Sequence, residues 1–296
     1  MILVSGANGN LAGAVIDNLQ RLLPDMRELA VGTRNPESAR ARDLAARGIS
    51  VRHMDFLDPD SLVQALRGID KALFISTYDD NAVRLRQHRN AVQAAQDAGL
   101  RHIVYTSFIN AEPGSAFEHN TQVHAPTEAL IRESGLVYTV LRHNLYSEYL
   151  VQDLQQTLAS GELVRGGGEQ RVSFIGRDDL GVSAATVLAG DGHENRVYTE
   201  TGPEALSMAE AAAILSAVFG APVRHVNLTP EQWYEHVLGM GLPAPVAGAM
   251  ASNVRAMLDD EFSQVSPDYA TVTGRPARSL RRYLEDTRRR WLDVNG

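Results

Sequence analysis

The 296-residue chain has no cysteine, which excludes a disulfide framework, thiolate catalysis and any cysteine-ligated metal. Positive charge is also in short supply: 28 Lys and Arg stand against 36 Asp and Glu, a formal net charge of −8. An acidic total of that size argues against a nucleic-acid surface. No apolar run is long enough to span a bilayer, and the start lacks the charged-then-apolar build of a signal peptide, so a cytoplasmic protein with no membrane partner is expected. What remains is ordinary for a globular protein, with 44% hydrophobic and 22% charged residues. The length suits one large domain, or one carrying a smaller subdomain, with an ample core.

Short apolar runs alternate with helical patterns along the first half. ILVS (2–5), ELAVGT (28–33), ISVRHM (49–54), KALFIS (71–76), HIVYTS (102–107) and LVYTVLR (136–142) read as six strands, each apolar throughout. Residues 10–23, 81–98 and 122–133 show apolar residues at helical spacing, and Asn35-Pro36 and Asp58-Pro59 each look like an N-cap followed by proline. Uninterrupted apolar strands separated by helices predict an α/β fold, a doubly wound parallel (Rossmann) sheet covered on both faces. Residues 1–150 would be the dinucleotide-binding domain, and 151–296 a smaller α+β substrate-binding part with segments returning to the first. In that second part SMAE (207–210) and TPEQ (229–232) have capping-box spacing, Arg177-Asp178-Asp179 caps a helix, and 275–291 reads as a basic, solvated C-terminal helix. The three glycines at 166–168 are no phosphate loop, since no Gly-Lys-Ser/Thr follows.

The first strand runs into SGANGNLAG. Gly6 would permit the tight turn off the strand, Gly9 would let a pyrophosphate approach the backbone, and Ala12 and Gly13 would keep the helix close to the sheet with its N-terminal amides on the phosphates. The cofactor residues expected here are Gly6, Asn8, Gly9, Asn10 and Leu11. Where an NAD site usually carries an acid, the second strand ends in GTRNP, with Arg34 placed 21 residues after Gly13. A guanidinium suits a 2′-phosphate, so NADPH is preferred over NADH. Asp55 in HMDFLDP would either accept a hydrogen bond from the adenine amino group or serve as a turn residue, and Ser76 at the end of the fourth strand joins the cofactor set.

These stretches, together with QHRNAVQAAQDAGLRHIVYTS, HAPTEALIRESGLVYTVLRHNLYSE and TGRPARSL, resemble the NmrA-like branch of the atypical short-chain dehydrogenases. Within it the chain is most similar to the type 2 NADPH quinone oxidoreductases and the triphenylmethane reductases, over nearly its whole length. The resemblance implies NADPH along the strand ends and a smaller C-terminal part closing over the nicotinamide. Ordinary short-chain dehydrogenases use a Ser and a Tyr-x-x-x-Lys pair; set against Glu128, the tyrosine and lysine places fall here on Asn120 and His124. After YTS the quinone reductases commonly continue with a leucine pair and a histidine, whereas this chain has FINAEPGSAF.

Chemistry that tolerates a missing tyrosine is therefore expected. Hydride addition to a quinone yields a hydroquinone anion only as basic as a phenolate, which needs no strong positioned acid, unlike the alkoxide from a simple ketone. His124 is the first candidate for proton delivery or anchoring, because imidazole titrates near neutrality. Tyr146 is a substitute acid, and Ser107, in the family's serine position, either bonds a substrate oxygen or caps its strand. Phe108, His143 and Asn144 are candidate substrate contacts, with His119 beside them. The expected partner is a small planar acceptor, and the expected assembly a monomer or homodimer. Two other readings stand beside this one: a redox sensor that binds NADP(H) without turnover, and a biosynthetic reductase of an enone, imine or ketone.

Overall fold

The computed structural model describes residues 1–295. Alternation of strand and helix holds through the first half: β1 (Ile2–Ser5), α1 (Asn10–Leu22), β2 (Leu29–Thr33), α2 (Ala39–Ala46), β3 (Ser50–His53), α3 (Pro59–Leu66), β4 (Lys71–Phe74), α4 (Asn81–Asp97), β5 (His102–Phe108), α5 (Ala125–Glu133) and β6 (Val137–His143). There follow α6 (Leu154–Ser160), β7 (Glu162–Gly166), β8 (Arg171–Val172), α7 (Arg177–Ala189), β9 (Arg196–Glu200), β10 (Leu206–Ser207), α8 (Met208–Phe219), β11 (Arg224–Leu228), α9 (Pro230–Gly239), α10 (Ala244–Leu258), α11 (Asp268–Thr273) and α12 (Leu280–Asn295).

The main sheet has seven strands in the order β3-β2-β1-β4-β5-β6-β9. Its order reverses beside β1, with β1 pairing in parallel to both β2 and β4; that is the switch point of a doubly wound sheet, where the carboxyl ends of the strands leave a ligand-sized crevice. The expected Rossmann fold is thus present, with one strand more than the six read from the sequence: RVYTE joins as β9 beside β6. Parallel pairing of these two follows from Asn195 N–H donating to the Tyr138 carbonyl and Asn144 N–H to that of Glu200. β1, β2, β4 and β5 are almost wholly buried, as strands covered on both faces should be. Edge strand β3 departs from the expectation of apolar strands: SVRH is half-buried or exposed, because nothing pairs beyond it.

Two compact units share the chain. The first comprises 1–111, 122–142 and 177–199, and the second 112–121, 143–176 and 200–296. In the first, Leu3, Ala30, Phe56, Leu62, Phe74, Ile103 and Val140 form a continuous core. In the second, Trp233, Val237, Ala247 and Val254 pack together, with Tyr149 and Val164 against them. There, β7 pairs with β11 in parallel and β8 with β10 antiparallel. Both capping boxes form, at Ser207/Glu210 and Thr229/Gln232.

Three local boundaries differ from the sequence expectation. Asn35 does not cap α2; its Oδ1 accepts from Glu37 N–H at 3.1 Å in an Asx turn, and Ser38 is the cap, accepting from Ala41 N–H. The helix expected from 122 starts at Ala125, after a π-helical turn over Asn120–His124. Pro276 lies before α12, whose first residue is Leu280. Among the described residues, no helix is long and apolar enough to cross a membrane, and no group of three or more His, Asp or Glu side chains is placed to hold a metal.

Candidate functional site

At the switch point the chain leaves β1 through Gly6, whose φ of +69° is a left-handed conformation that other residues adopt only with strain. Gly9 N–H then closes the turn on the Gly6 carbonyl at 2.7 Å. A side-chain carbon at Gly9 would sit 3.2 Å from that same oxygen, so only glycine leaves the turn open to a ligand. Asn8, Gly9 and Asn10 are exposed while Leu11 is buried beneath them. Gly9 is the N-cap of α1, and it supplies no side-chain cap; the first turn contains no acid. The amides at this 13-residue helix's start are therefore left for an anion.

This turn is stitched to the end of β2. Asn8 Nδ2 donates to Thr33 Oγ1 at 3.2 Å, and Ser38 Oγ donates to Asn8 Oδ1 at 3.1 Å. Arg34, next after Thr33, is exposed. Arg40, which the sequence reading missed, lies across the turn: its Nε donates to the Ala7 carbonyl at 2.8 Å. Its guanidinium fills the space a side chain at Gly13 would need, so Gly13 makes room for an arginine and not for the sheet as expected. Among the described residues neither guanidinium has an acidic partner. Asp55 serves as a turn residue, its Oδ1 accepting from Leu57 N–H at 2.9 Å.

Behind the ends of β4 and β5 lies a buried polar cluster. Ser76, just past β4, donates its N–H to Thr106 Oγ1, and its hydroxyl oxygen accepts from Arg84 Nη2, both at 2.9 Å. Arg84 comes from α4 and is buried, and burial pulls its guanidinium below the usual arginine range. Its Nη2 also faces His124 Nε2 at 3.4 Å, while Tyr105 Oη lies 2.9 Å from His124 Nδ1. A guanidinium only donates, so Nε2 accepts and Nδ1 carries the proton toward Tyr105. Phe108 stacks on the same imidazole, centroids 6.3 Å apart. His88 is neutral for related reasons. Thr127 hands its hydroxyl proton to the Val123 carbonyl and accepts from His88 Nδ1 at 2.9 Å, leaving Nε2 to accept from Thr77 N–H at 3.3 Å. Burial, and then the Arg84 charge, push the His88 pKa down to about 3, and burial raises that of the Tyr105 phenol.

This arrangement corrects the expectation for His124. With a guanidinium at its acceptor nitrogen and its one proton directed at Tyr105, it is poorly placed to act as an imidazolium acid. Ser107 is committed as well: its hydroxyl donates to Glu128 Oε1 at 2.6 Å. Glu128 is fully buried and also held by Arg142 Nε and Nη2 at 2.9 and 2.8 Å and by Arg132 Nη2 at 2.7 Å. A buried carboxylate stays ionised only with such company, so Ser107 serves this ion cluster and has no proton left for a substrate oxygen.

In the second unit, Asn120, in the tyrosine place of ordinary short-chain enzymes, is fully buried and donates to Ser115 Oγ at 3.1 Å. His119 packs edge-on against Phe117. Asn144 is also spent on structure, which departs from its reading as a substrate contact: Nδ2 donates to Ser173 Oγ at 2.6 Å and to the Phe262 carbonyl at 2.9 Å, and Oδ1 accepts from Leu145 N–H at 2.7 Å. His143 is 1% exposed, its Nδ1 3.1 Å from Tyr146 Oη and its Nε2 3.3 Å from Glu200 Oε2. Tyr146 is half-buried, and Glu200 is fully buried.

Sequence reading singled out the glycine turn, Arg34 and Tyr146, and did not name Arg40, Arg84, His88, Tyr105 and Glu200. A signal for two of these was present: Arg84 and His88 continue the buried stripe of Ala91 and Ala95 along α4, polar residues on an apolar face. Glu200 carried none, because only the pairing of β6 with β9 brings it to His143.

Known proteins agree with this architecture. Escherichia coli quinone oxidoreductase 2, solved in complex with NADPH, superposes with a TM-score of 0.90 at 32% identity, covering 97% of this chain and 99% of that one. Citrobacter sp. triphenylmethane reductase complexed with NADP(H) gives 0.89 at 35%, with 97% and 99% covered. The NAD(P)H azoreductase of Xenophilus azovorans is 34% identical over 285 residues, 96% of this chain and 97% of that protein. A family model matches residues 1–279, and the chain belongs to the NmrA-like family.

Proposed function

We propose that the chain is an NADPH-dependent reductase that reduces a quinone or a similar flat, conjugated acceptor, without a Tyr-Lys pair. The observation that carries the cofactor reading is the open glycine turn at the uncapped start of α1, with Arg34 and Arg40 beside it and, among the described residues, no acidic partner for either. The turn fits a pyrophosphate, and two guanidiniums fit a 2′-phosphate where an acid would favour NADH. Gly6, Asn8, Gly9, Asn10 and Leu11 would hold the pyrophosphate, Arg34 and Arg40 the 2′-phosphate, with Ser76 at the end of its strand. NADPH, when bound, supplies the hydride.

The chain's own residues then have an orienting task and a modest proton to deliver. Asn120 and His124 cannot act as a Tyr-Lys pair, since the first is a buried amide and the second faces Arg84. An acceptor whose reduced anion is no more basic than a phenolate suits such a site. Tyr146, half-buried just beyond the carboxyl end of β6, is the proton donor. His124 positions the Phe108 ring by stacking. Relatives named as quinone, azo and dye reductases support this acceptor class. Following NADPH oxidation with quinones, azo dyes and triarylmethane dyes tests the reading: turnover with at least one class is expected, and tight NADPH binding with turnover of none would replace it by a redox sensor.

A further inference from the structure

We infer that His143 and Glu200 form a positioning pair behind Tyr146, a Glu–His–Tyr relay that aims the phenol and restores its proton after each transfer. The inference rests on the proposed reading of Tyr146 as the donor. The geometry begins with neighbouring strands: His143 is the last residue of β6 and Glu200 the last of β9, and parallel pairing brings both to the same edge. Asn144 N–H donates to the Glu200 carbonyl at 3.0 Å, which locks the two ends in register. Tyr146 is fixed in turn, bridged to Ile175 with Ile175 N–H bonded to the Leu145 carbonyl and Ser147 N–H to that of Ile175. Its ring lies 6.0 Å from that of His143.

Chemistry assigns the direction of the protons. An ionised carboxylate only accepts, so the ring nitrogen facing Glu200 bears hydrogen and Nδ1 faces the phenol. The phenol oxygen can accept from Nδ1–H while its own proton points elsewhere, and Nε2 lies 3.3 Å from Glu200 Oε2 without a formed hydrogen bond. In the transfer, the Tyr146 O–H bond breaks and an O–H bond forms on the anionic oxygen of the reduced acceptor. The phenolate oxygen takes the Nδ1 proton, leaving His143 neutral with Nε2–H on Glu200. Water reprotonates the pair through half-exposed Tyr146 after product leaves. Two buried polar side chains at a strand end contribute little to stability over an apolar pair of similar volume, which favours a functional reason for them. The arrangement follows triad logic, base oriented by carboxylate, with a tyrosine at its head.

The test uses the full-length protein with NADPH and 2-methyl-1,4-naphthoquinone, comparing wild type with Tyr146→Phe, His143→Gln, Glu200→Gln and Glu200→Asp, each checked for folding by thermal melting. Tyr146→Phe should lower kcat about 100-fold, and His143→Gln and Glu200→Gln about 10-fold each with KM within about twofold, the range expected of a positioned acid and its support. Glu200→Asp should recover part of the loss. If Tyr146→Phe keeps full turnover, the donor reading fails; if it loses turnover while His143→Gln and Glu200→Gln keep it, the relay alone fails. Imidazole 15N resonances of the protein without cofactor, with those of His143 identified by their loss in His143→Gln, give an answer independent of turnover. Glu200→Gln should move its Nε2 signal and Tyr146→Phe its Nδ1 signal, and the absence of both movements would overturn the relay even if no acceptor is reduced.

Discussion

His124 and His143 are both buried imidazoles bonded to a tyrosine, and they differ in the sign of the group on the other side. His124 has a guanidinium 3.4 Å away and His143 a carboxylate 3.3 Å away. A donor-only neighbour holds the first ring as a proton acceptor at Nε2, with its single proton spent on Tyr105, itself fully buried in the interior. The second ring, beside a carboxylate, presents Nδ1 to the half-buried Tyr146 at 3.1 Å. The same residue types thus make a rigid scaffold in one place and, in the proposed relay, a proton path in the other, and histidine's ordinary pKa, the signal available in the sequence, does not separate the two.

The comparison can be broken from either end. The largest expected effect is on turnover: Tyr146→Phe should cost about 100-fold in kcat, whereas Tyr105→Phe should leave kcat within about threefold and instead destabilise the fold by about 1–3 kcal/mol, by stranding the His124 Nδ1 proton. Equal kcat losses would erase the distinction, and steady-state kinetics beside urea unfolding measure both. The guanidiniums divide in a parallel way, Arg84 buried in the interior and Arg34 and Arg40 proposed to hold the 2′-phosphate. Arg34→Ala should weaken NADPH binding about 10- to 100-fold, as expected for a lost charge-assisted contact, with NADH binding unchanged. Arg40→Ala should do less to selectivity, since that side chain also braces the Ala7 carbonyl. Calorimetric titration with each dinucleotide reads both; equal losses for NADPH and NADH would remove the 2′-phosphate assignment.

A smaller effect concerns stability. The His88 pKa lies at about 3 in the fold, against 6.5 for the free side chain. Between those values the unfolded chain binds a proton that the folded one does not, so this contribution is full above pH 6.5 and is lost as pH falls toward 3. From pH 6.5 to 5 the loss is about 2 kcal/mol, at about 1.4 kcal/mol per pH unit. His88→Asn should flatten that dependence in urea unfolding, and an unchanged slope would mean that the ring takes up its proton in the fold as it does in the unfolded chain.

How much of this the sequence revealed depended on how local the determinant was. The glycine turn, the apolar strands and the Ser207 and Thr229 capping boxes are set by residues a few positions apart, and periodicity and turn chemistry suffice to find them. Asn35 looked like a cap because it precedes proline; it lost the role to Ser38 because its own side chain closes a tighter turn first. Ser107 looked available at a strand end, but Glu128, Arg132 and Arg142 arrive from α5 and β6 to occupy it. Glu200 stood 57 residues from His143 with nothing marking it, and strand order alone joined them. Arg40 was hidden by a mistaken idea: a glycine at 13 suggests room for the sheet, when it makes room for a side chain.

NADPH-driven reduction of a flat acceptor is the proposed service of the open glycine turn and the scaffolded strand ends. Its most direct test is the steady-state oxidation of NADPH and of NADH by the wild-type protein with 2-methyl-1,4-naphthoquinone. Turnover is expected, with kcat/KM for NADPH exceeding that for NADH by about tenfold or more, the difference one charge-assisted contact supplies. NADPH bound tightly with no turnover, or turnover indifferent to the 2′-phosphate, would contradict it.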